Sequence, residues 1–327
     1  LTQKNGFDVN KILCLLRTII NNHHRSSNFY KRIEKIIVYF KKDINQTFTN
    51  TELYNFFSQS KIILLVLMQN KILEIDQSIA VDLKMKWGVK YFWQEISQFY
   101  YDKPLDLNTI DFFQKRELGE NDNNLAVIIR NDLFNEFVEY FNKTNIPLNA
   151  KIAKSFYETN PLLIEKDPTI AEYAAFYGSI QILDRLSKEH KDELQLLTPS
   201  LWIYAIHSNN AEVIEFLRQN NVEPPGKSFN NCLIESIKCQ HNNIAKNLIL
   251  TEELNYFYFS DCLIYSNYEI YPINQDFYSN WKYNINNFYW YIQKDPEFVD
   301  LLFKASYLNI NLKINEETVL LMAIKED

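Results

Sequence analysis

The amino-acid sequence predicts an all-α protein that repeats one pair of helices along its chain. Apolar residues recur at i, i+3, i+4 and i+7, whereas strict alternation of apolar and polar residues is nearly absent. Similar segments also return at an offset of 31 residues. The chain has 327 residues, 46% of them hydrophobic and 23% charged, which is typical of a folded protein with a sizeable core.

Five stretches carry the helical pattern most clearly. They are residues 9–20, 29–40, 53–68, 125–141 and 211–219. Asparagine is unusually frequent in this chain and glycine is scarce. Because asparagine tolerates the left-handed backbone that usually requires glycine at helix C-termini, we expect asparagine to end several of these helices.

The scarcity of glycine also excludes several classes of site. The chain has five glycines, and no two of them lie closer than 31 residues. Dinucleotide-binding loops, P-loops and nucleophile elbows each need two or more glycines within a few residues. The sequence therefore predicts no nucleotide site of these kinds, no cofactor and no small-molecule substrate.

An internal repeat organises the second half of the chain. It appears in five aligned segments, the first three at equal offsets: residues 174–183, 205–214, 236–245, 290–299 and 323–327. A small residue opens each of the first three segments, at Ala174, Ala205 and Ser236, where two helices would come closest. Because one helix pair is too small to bury its own apolar face, neighbouring pairs must stack.

These segments resemble ankyrin repeats, whose helix pairs have a period near 33 residues. The resemblance rests on the second-helix pattern of residues 212–217 and 297–302 and on the opening pattern of residues 318–323. Residues 172–179 and 197–207 are similar to a divergent ankyrin-type domain of unassigned function, found ahead of ankyrin repeats in proteins of flagellate protists. The resemblance covers residues 50–327 and implies an ankyrin-like helical-repeat solenoid with an irregular helical N-terminal region.

The resemblance also implies that partner proteins dock on the concave face formed by the first helices. The positions one before and two after each small residue share one face of a helix. They select six candidate protein-binding residues: Tyr173, Phe176, Tyr204, His207, Glu235 and Lys238. The alternative is that the aromatic members of this column pack against neighbouring repeats.

The chain is expected to divide into five segments. They are a basic helical N-terminal segment (1–50), a divergent helical-repeat region (51–168), ankyrin-like repeats (169–250), an aromatic-rich insertion (251–287) and a truncated set of ankyrin-like repeats (288–327). Residues 256–291 hold 15 Phe, Tyr and Trp side chains. This density indicates either a protein-binding surface or a satellite core that folds on itself.

Charge is distributed unevenly. Residues 1–42 carry nine Lys or Arg against Asp8 and Glu34, a net charge of +7, whereas the whole chain has −7. Such a face either meets an acidic partner or stays solvated. No motif that reads DNA or RNA accompanies it, so no specific nucleic-acid partner is expected. The longest apolar run, residues 62–68, is too short to span a membrane.

Candidate catalytic and metal-binding residues are few. Cys232, Cys239 and His241 lie within ten residues, but their spacing matches no common zinc pattern, and the sequence predicts no metal site. A Cys or Ser nucleophile with a His base stays open, since such partners meet in space rather than along the chain. Four cysteines at irregular spacing favour a cytoplasmic location.

The sequence therefore favours a non-catalytic protein–protein interaction scaffold. The alternative is an architectural subunit of a larger cytoskeletal assembly, such as a flagellar microtubule lattice, in which the basic N-terminus contacts acidic protein. The partners would then be cytoskeletal, and the location would be the cytoskeleton or the flagellum. An uncharacterised enzyme is the second alternative, and it requires a titratable cluster that the sequence does not display.

Overall fold

The computed structural model describes residues 8–22, 27–100, 109–189, 196–252, 254, 259–270, 313–314 and 317–318. The chain divides into two compact units, Leu1–Asn255 and Tyr256–Asp327. Helices dominate the described residues, which confirms the all-α class. The described strands are short: β1 (Lys313–Ile314) pairs antiparallel with β2 (Glu317–Thr318) in the second unit.

The first part of the Leu1–Asn255 unit is a cluster of eight described helices. They are α1 (Val9–Asn22), α2 (Ser27–Tyr39), α3 (Lys41–Thr47), α4 (Asn50–Phe57), α5 (Lys61–Gln69), α6 (Gln77–Trp87), α7 (Trp93–Ile96) and α8 (Ile110–Leu118). The apolar faces of α1 to α7 share one core, in which Ile37, Ile44, Ile63 and Leu67 are fully buried. This N-terminal cluster precedes the repeated helix pairs.

The remaining helices lie on either side of an irregular segment or in the second unit. They are α9 (Asn124–Arg130), α10 (Phe134–Thr144), α11 (Pro161–Lys166), α12 (Ile170–Tyr177), α13 (Ile180–Glu189), α14 (Leu201–Ser208), α15 (Ala211–Gln219), α16 (Asn230–Lys238), α17 (Asn242–Thr251) and α18 (Phe259–Ile264). Helix α18 belongs to the second unit. The irregular segment, residues 145–160, lies between α10 and α11.

Four helix pairs stack in chain order: α9 with α10, α12 with α13, α14 with α15, and α16 with α17. The first helices α9, α12, α14 and α16 contact one another in sequence, and so do the second helices α10, α13 and α15. Ala174, Ala205 and Ser236 occupy equivalent places on the first helices, and all three are fully buried. A small residue recurs there because the neighbouring helix leaves no space for a larger one.

The turn inside each pair uses a residue with a left-handed backbone. These residues are Asp132 (φ 51°), Gly178 (φ 79°), Asn209 (φ 50°) and Gln240 (φ 59°). At Gly178 an added Cβ would lie 2.9 Å from the side-chain nitrogen of Asn210, so glycine is required there on two counts. Asn145 and Asn221 also have positive φ, which confirms that asparagine ends helices in this chain.

Two of the predicted helices are wrong as single elements. The stretch 53–68 breaks between α4 and α5, where Ser60 adopts an extended backbone. The stretch 125–141 breaks between α9 and α10, where Asp132 turns left-handed and the Leu133 amide bonds back to the Ile128 carbonyl. The apolar period runs through both breaks, so it does not report a change of backbone conformation at a single residue.

The first prediction concerns the buried small residue of the repeat. Ala205→Leu should lower the free energy of unfolding by about 1–3 kcal/mol, because the contact with the neighbouring helix leaves no room for three more carbons. The matched control is Ala211→Leu on the exposed side of α15, which should stay within about 0.5 kcal/mol of wild type. Equal losses in the two variants, measured by urea denaturation, would contradict equivalent close packing.

The second prediction concerns the left-handed turn at Asn209, whose side chain is exposed. Asn209→Ala should lower the free energy of unfolding by about 1 kcal/mol, because alanine disfavours positive φ. Asn209→Gly should be neutral or slightly stabilising, since glycine adopts this backbone freely. Thermal denaturation of both variants measures the difference, and an alanine variant as stable as the glycine variant would show that φ is not the constraint.

Candidate functional site

The six predicted docking residues do not form an exposed surface. Tyr173 and Phe176 are each 1% exposed, and Tyr204 and His207 are each 4% exposed. The docking prediction is therefore wrong for these four side chains, which pack inside the protein. Glu235 and Lys238 are half-buried, at the edge of the same column.

The reason for this burial is visible in the first helices themselves. Six of the eight residues in α12 are buried, and the same holds for α14. A helix that is apolar all round belongs to a core rather than to a surface. On one side of α12, a cavity of about 340 Å³ separates Phe176 and Tyr177 from Ile62, Leu65 and Val66 of α5. Phe176 therefore lines a cavity shared with the N-terminal cluster, and it stacks on His207 of the next first helix.

Three residues of different chemistry meet where α14 contacts α16. His207 Nε2 donates a hydrogen bond to Glu235 Oε1 at 2.5 Å, and Cys239 Sγ lies 3.5 Å from the same nitrogen. The ring of Phe176 stacks on the His207 imidazole at 5.8 Å between centroids. Cys232 and His241, which lie near Cys239 in the sequence, do not belong to this cluster.

The electrostatics of this cluster centre on the Glu235 carboxylate. Burial opposes ionisation of Glu235, but the hydrogen bond from His207 and the charges of His207 and Lys238 outweigh it and hold the pKa of Glu235 below its ordinary value. Burial also raises the pKa of the Cys239 thiol well above its ordinary value, and the charge of Glu235 adds to this shift. The thiol is therefore protonated at neutral pH.

The cluster is not arranged as a nucleophile relay. In a relay, one nitrogen of the imidazole faces the nucleophile and the other faces the carboxylate. Here Glu235 and Cys239 both approach Nε2, and the sulfur is almost as close to Nδ1, at 3.6 Å. The thiol is held protonated and its sulfur shares Nε2 with the carboxylate, so the three groups are not in the order of a relay.

A second polar arrangement, which the sequence analysis missed, joins α5 to the irregular segment. Lys61 is 5% exposed, and its ammonium donates to the carbonyls of Phe156 at 3.0 Å and Glu158 at 2.9 Å. The rings of Trp87 and Tyr91 lie 5.2 Å from the same nitrogen. Two carbonyls and two aromatic faces thus replace the water that an ammonium normally binds.

The Glu158 carboxylate is buried beside this contact. Its two oxygens accept hydrogen bonds from the amides of Asn121, Thr159 and Asn160, at 3.2, 3.0 and 2.9 Å. Burial raises the pKa of Glu158 to about 7 and lowers the pKa of Lys61 to about 8. Both groups are committed to backbone partners, so their role is to hold the irregular segment in place.

A cavity of about 310 Å³ lies against this contact, with Lys61, Trp87, Asn121 and Glu158 in its wall. The sequence carried one weak signal for it, since Lys61 is a charged residue at the start of α5, one of the most apolar of the described helices. Nothing in the pattern pointed to Glu158, because the two residues are 97 positions apart. Contacts at such separation are set by the tertiary fold alone.

The third prediction concerns the buried ammonium. Lys61→Met should lower the free energy of unfolding by about 1–3 kcal/mol at neutral pH, because two buried carbonyls lose their donor. With its pKa lowered to about 8 in the folded protein, Lys61 loses its proton before the unfolded chain does. The contribution of Lys61 to the free energy of unfolding therefore increases as pH rises above 8. The neutral amine still donates to both carbonyls.

The measurement is urea denaturation of wild type and Lys61→Met between pH 7 and about 10. The gap in unfolding free energy between them should widen with pH. Lys90→Met is the control, because Lys90 is exposed and lies 5.6 Å from the Phe156 ring. A gap that narrows with pH, or an equal loss in the control, would contradict the assigned role.

Comparison with known proteins adds no relative: no protein-family model, curated protein or solved structure matches this chain. Among the described residues, no helix combines the length and the apolar character needed to cross a bilayer. The function proposed for this protein therefore rests on the arrangement of its helices and on their exposed side chains.

Proposed function

We propose that this protein is a non-catalytic protein-interaction scaffold, built as a divergent ankyrin-like solenoid. The observation that supports it most directly is the stacking of four helix pairs in chain order, with Ala174, Ala205 and Ser236 buried at equivalent places. A stack of this kind offers a rigid body, so a partner can bind without first ordering flexible segments. We retain the predicted architecture but assign the docking surface to a different part of the protein.

The new docking surface is the outer side of α2 and the start of α3, which we call the basic face. It consists of Arg32, Lys35, Ile36, Tyr39 and Lys42, all of them exposed. The first four are spaced at i, i+3, i+4 and i+7, and so they lie on one side of α2. The opposite side of α2 carries Ile33 and Ile37, which are buried in the core and fix the orientation of the helix.

The basic face combines charge with apolar area. Ile36 is 38% exposed and Tyr39 is 66% exposed, which is unusual for such large side chains on a single helix. Within the described part of the chain, no carboxylate forms an ion pair with Arg32, Lys35 or Lys42. The charges of this face are therefore available to a partner.

The partner that fits this face is an acidic protein segment that also carries apolar side chains. Its carboxylates would pair with Arg32, Lys35 and Lys42, and its apolar residues would cover Ile36 and Tyr39. The architectural alternative uses the same face, because the surface of a microtubule lattice is acidic protein. A lattice subunit would cosediment with polymerised microtubules and resist extraction by salt, whereas a scaffold would form exchangeable complexes.

The fourth prediction tests the basic face by charge reversal. Arg32→Glu combined with Lys35→Glu should weaken binding of a Glu-rich amphipathic peptide containing Leu by about tenfold or more, because attraction becomes repulsion. Fluorescence anisotropy at low and high salt measures the affinity. Binding by wild type should weaken as salt increases, since exposed charges are screened.

Two control variants separate a specific face from general charge. Lys143→Glu combined with Lys188→Glu makes the same change of charge at exposed positions of α10 and α13, and it should leave affinity nearly unchanged. Ile36→Ser combined with Tyr39→Ser preserves charge and should still weaken binding. Equal weakening of peptide binding by both charge reversals would contradict the proposed surface. A wild-type protein that does not bind the peptide would contradict it as well.

A further inference from the structure

We propose that His207, Glu235 and Cys239 form a binding site for a zinc-class divalent cation between α14 and α16. Among the residues that the structure describes, they are a group of three potential metal ligands whose donor atoms all lie within 4.8 Å of one another. The sequence hid this group, because His207 precedes the other two by 28 and 32 positions. This inference is independent of the proposed scaffold function.

The spacing of the three donor atoms is close to that of a tetrahedral site. Zinc binds sulfur at about 2.3 Å and nitrogen or oxygen at about 2.0–2.2 Å, so neighbouring ligands in a tetrahedron lie about 3.3–3.6 Å apart. Cys239 Sγ lies 3.5 Å from His207 Nε2 and 3.8 Å from Glu235 Oε1. Two of the three edges are therefore already near the required length.

The third edge is shorter, because a hydrogen bond occupies it. His207 Nε2 and Glu235 Oε1 are 2.5 Å apart, and a cation entering between them would replace the shared proton. The two atoms would then move apart by about 1 Å to reach the spacing of neighbouring zinc ligands. A change of this size is within reach of a rotation about the side-chain bonds of Glu235.

The helices and their neighbours hold the three side chains in this arrangement. Glu235 and Cys239 are four residues apart and so share one side of α16 and its C-terminal turn. The Phe176 ring stacks on the His207 imidazole and fixes its plane. Lys238 Nζ lies 3.5 Å from Glu235 Oε1, and outer partners of this kind orient ligands in metal sites.

The chemistry of the three ligands selects the metal. Thiolate and imidazole favour zinc and similar transition metals, whereas magnesium and calcium prefer oxygen ligands alone. On binding, the thiol proton and the proton shared by His207 Nε2 and Glu235 Oε1 both leave to solvent, the metal bonds to sulfur, nitrogen and oxygen in their place, and no electron transfer is involved. One thiolate and one carboxylate balance the charge of the cation, and a water completes the coordination.

The experiment uses the full chain with Cys14→Ser as parent, because Cys14 is an exposed thiol. Zinc affinity is measured by competition with a chromophoric chelator, and cobalt is added to detect thiolate-to-cobalt absorption. The parent should bind one equivalent of zinc and melt at a higher temperature in its presence. Removal of an outer partner lowers the metal affinity of a site by about 10–100-fold. Cys239→Ala removes a ligand itself, so it should weaken zinc binding by more than this and should abolish the cobalt absorption.

The matched control is Cys232→Ala, which removes a second fully buried cysteine from α16 and should leave zinc affinity and cobalt absorption intact. Glu235→Gln gives a second variant if Cys239→Ala folds poorly, and its affinity should also fall at least about tenfold. A parent that binds no zinc would overturn the site. Binding by Cys239→Ala equal to that of the parent would overturn it as well, and the cluster would then be a hydrogen-bonded core contact only.

Discussion

The burial of the Lys61 ammonium constrains how the N-terminal cluster meets the stacked pairs. An unpaired buried cation is costly, and this one is tolerated because the carbonyls of Phe156 and Glu158 accept from it. Those carbonyls belong to the irregular segment, which in turn is held by the Glu158 carboxylate through three amides. Helix α5 is thereby fixed to the irregular segment, and its residues Ile62, Leu65 and Val66 line a cavity together with Phe176 and Tyr177 of α12.

This placement explains why the first helices of the stack are unusually apolar. Helix α12 has neighbours on both sides along the stack and faces α5 across a cavity. Six of its eight residues are buried, and Glu172 and Tyr177 are half-buried. Tyr173 and Phe176 therefore lie inside the protein, whereas the outer side of α2 exposes charge and apolar area together.

Local chemistry made part of this fold predictable from the sequence. The apolar period located α1, α2 and α15, and the 31-residue offset located the buried positions Ala205 and Ser236. The helix breaks at Ser60 and Asp132 were missed because a backbone change at a single residue, extended at Ser60 and left-handed at Asp132, leaves the apolar period intact. The ankyrin-like solenoid and the five-segment division of the chain stay predictions.

The contacts that define both polar clusters were out of reach for a physical reason. Lys61 meets Glu158, and His207 meets Cys239, only after helices distant in sequence have packed. The docking prediction was wrong for four of its six residues for the same reason, because the position of a residue on a helical face does not show which element covers that face. A pattern in one helix reports which side is apolar, and the tertiary fold decides whether a neighbour lies there.

The polar links at the first two junctions between helix pairs have a direction along the chain. The Asp132 carboxylate of the first pair accepts from the amides of Gln181 and Ile182 at the start of α13, and Glu172 of the second pair accepts from Ser200 just before α14. At the third junction the direction is reversed, because His207 and Arg218 of the third pair donate to Glu235 and Glu252. On the ribosome, where the N-terminal end emerges first, the second and third pairs would each meet an acceptor already in place, so the first two junctions can form in the order of translation.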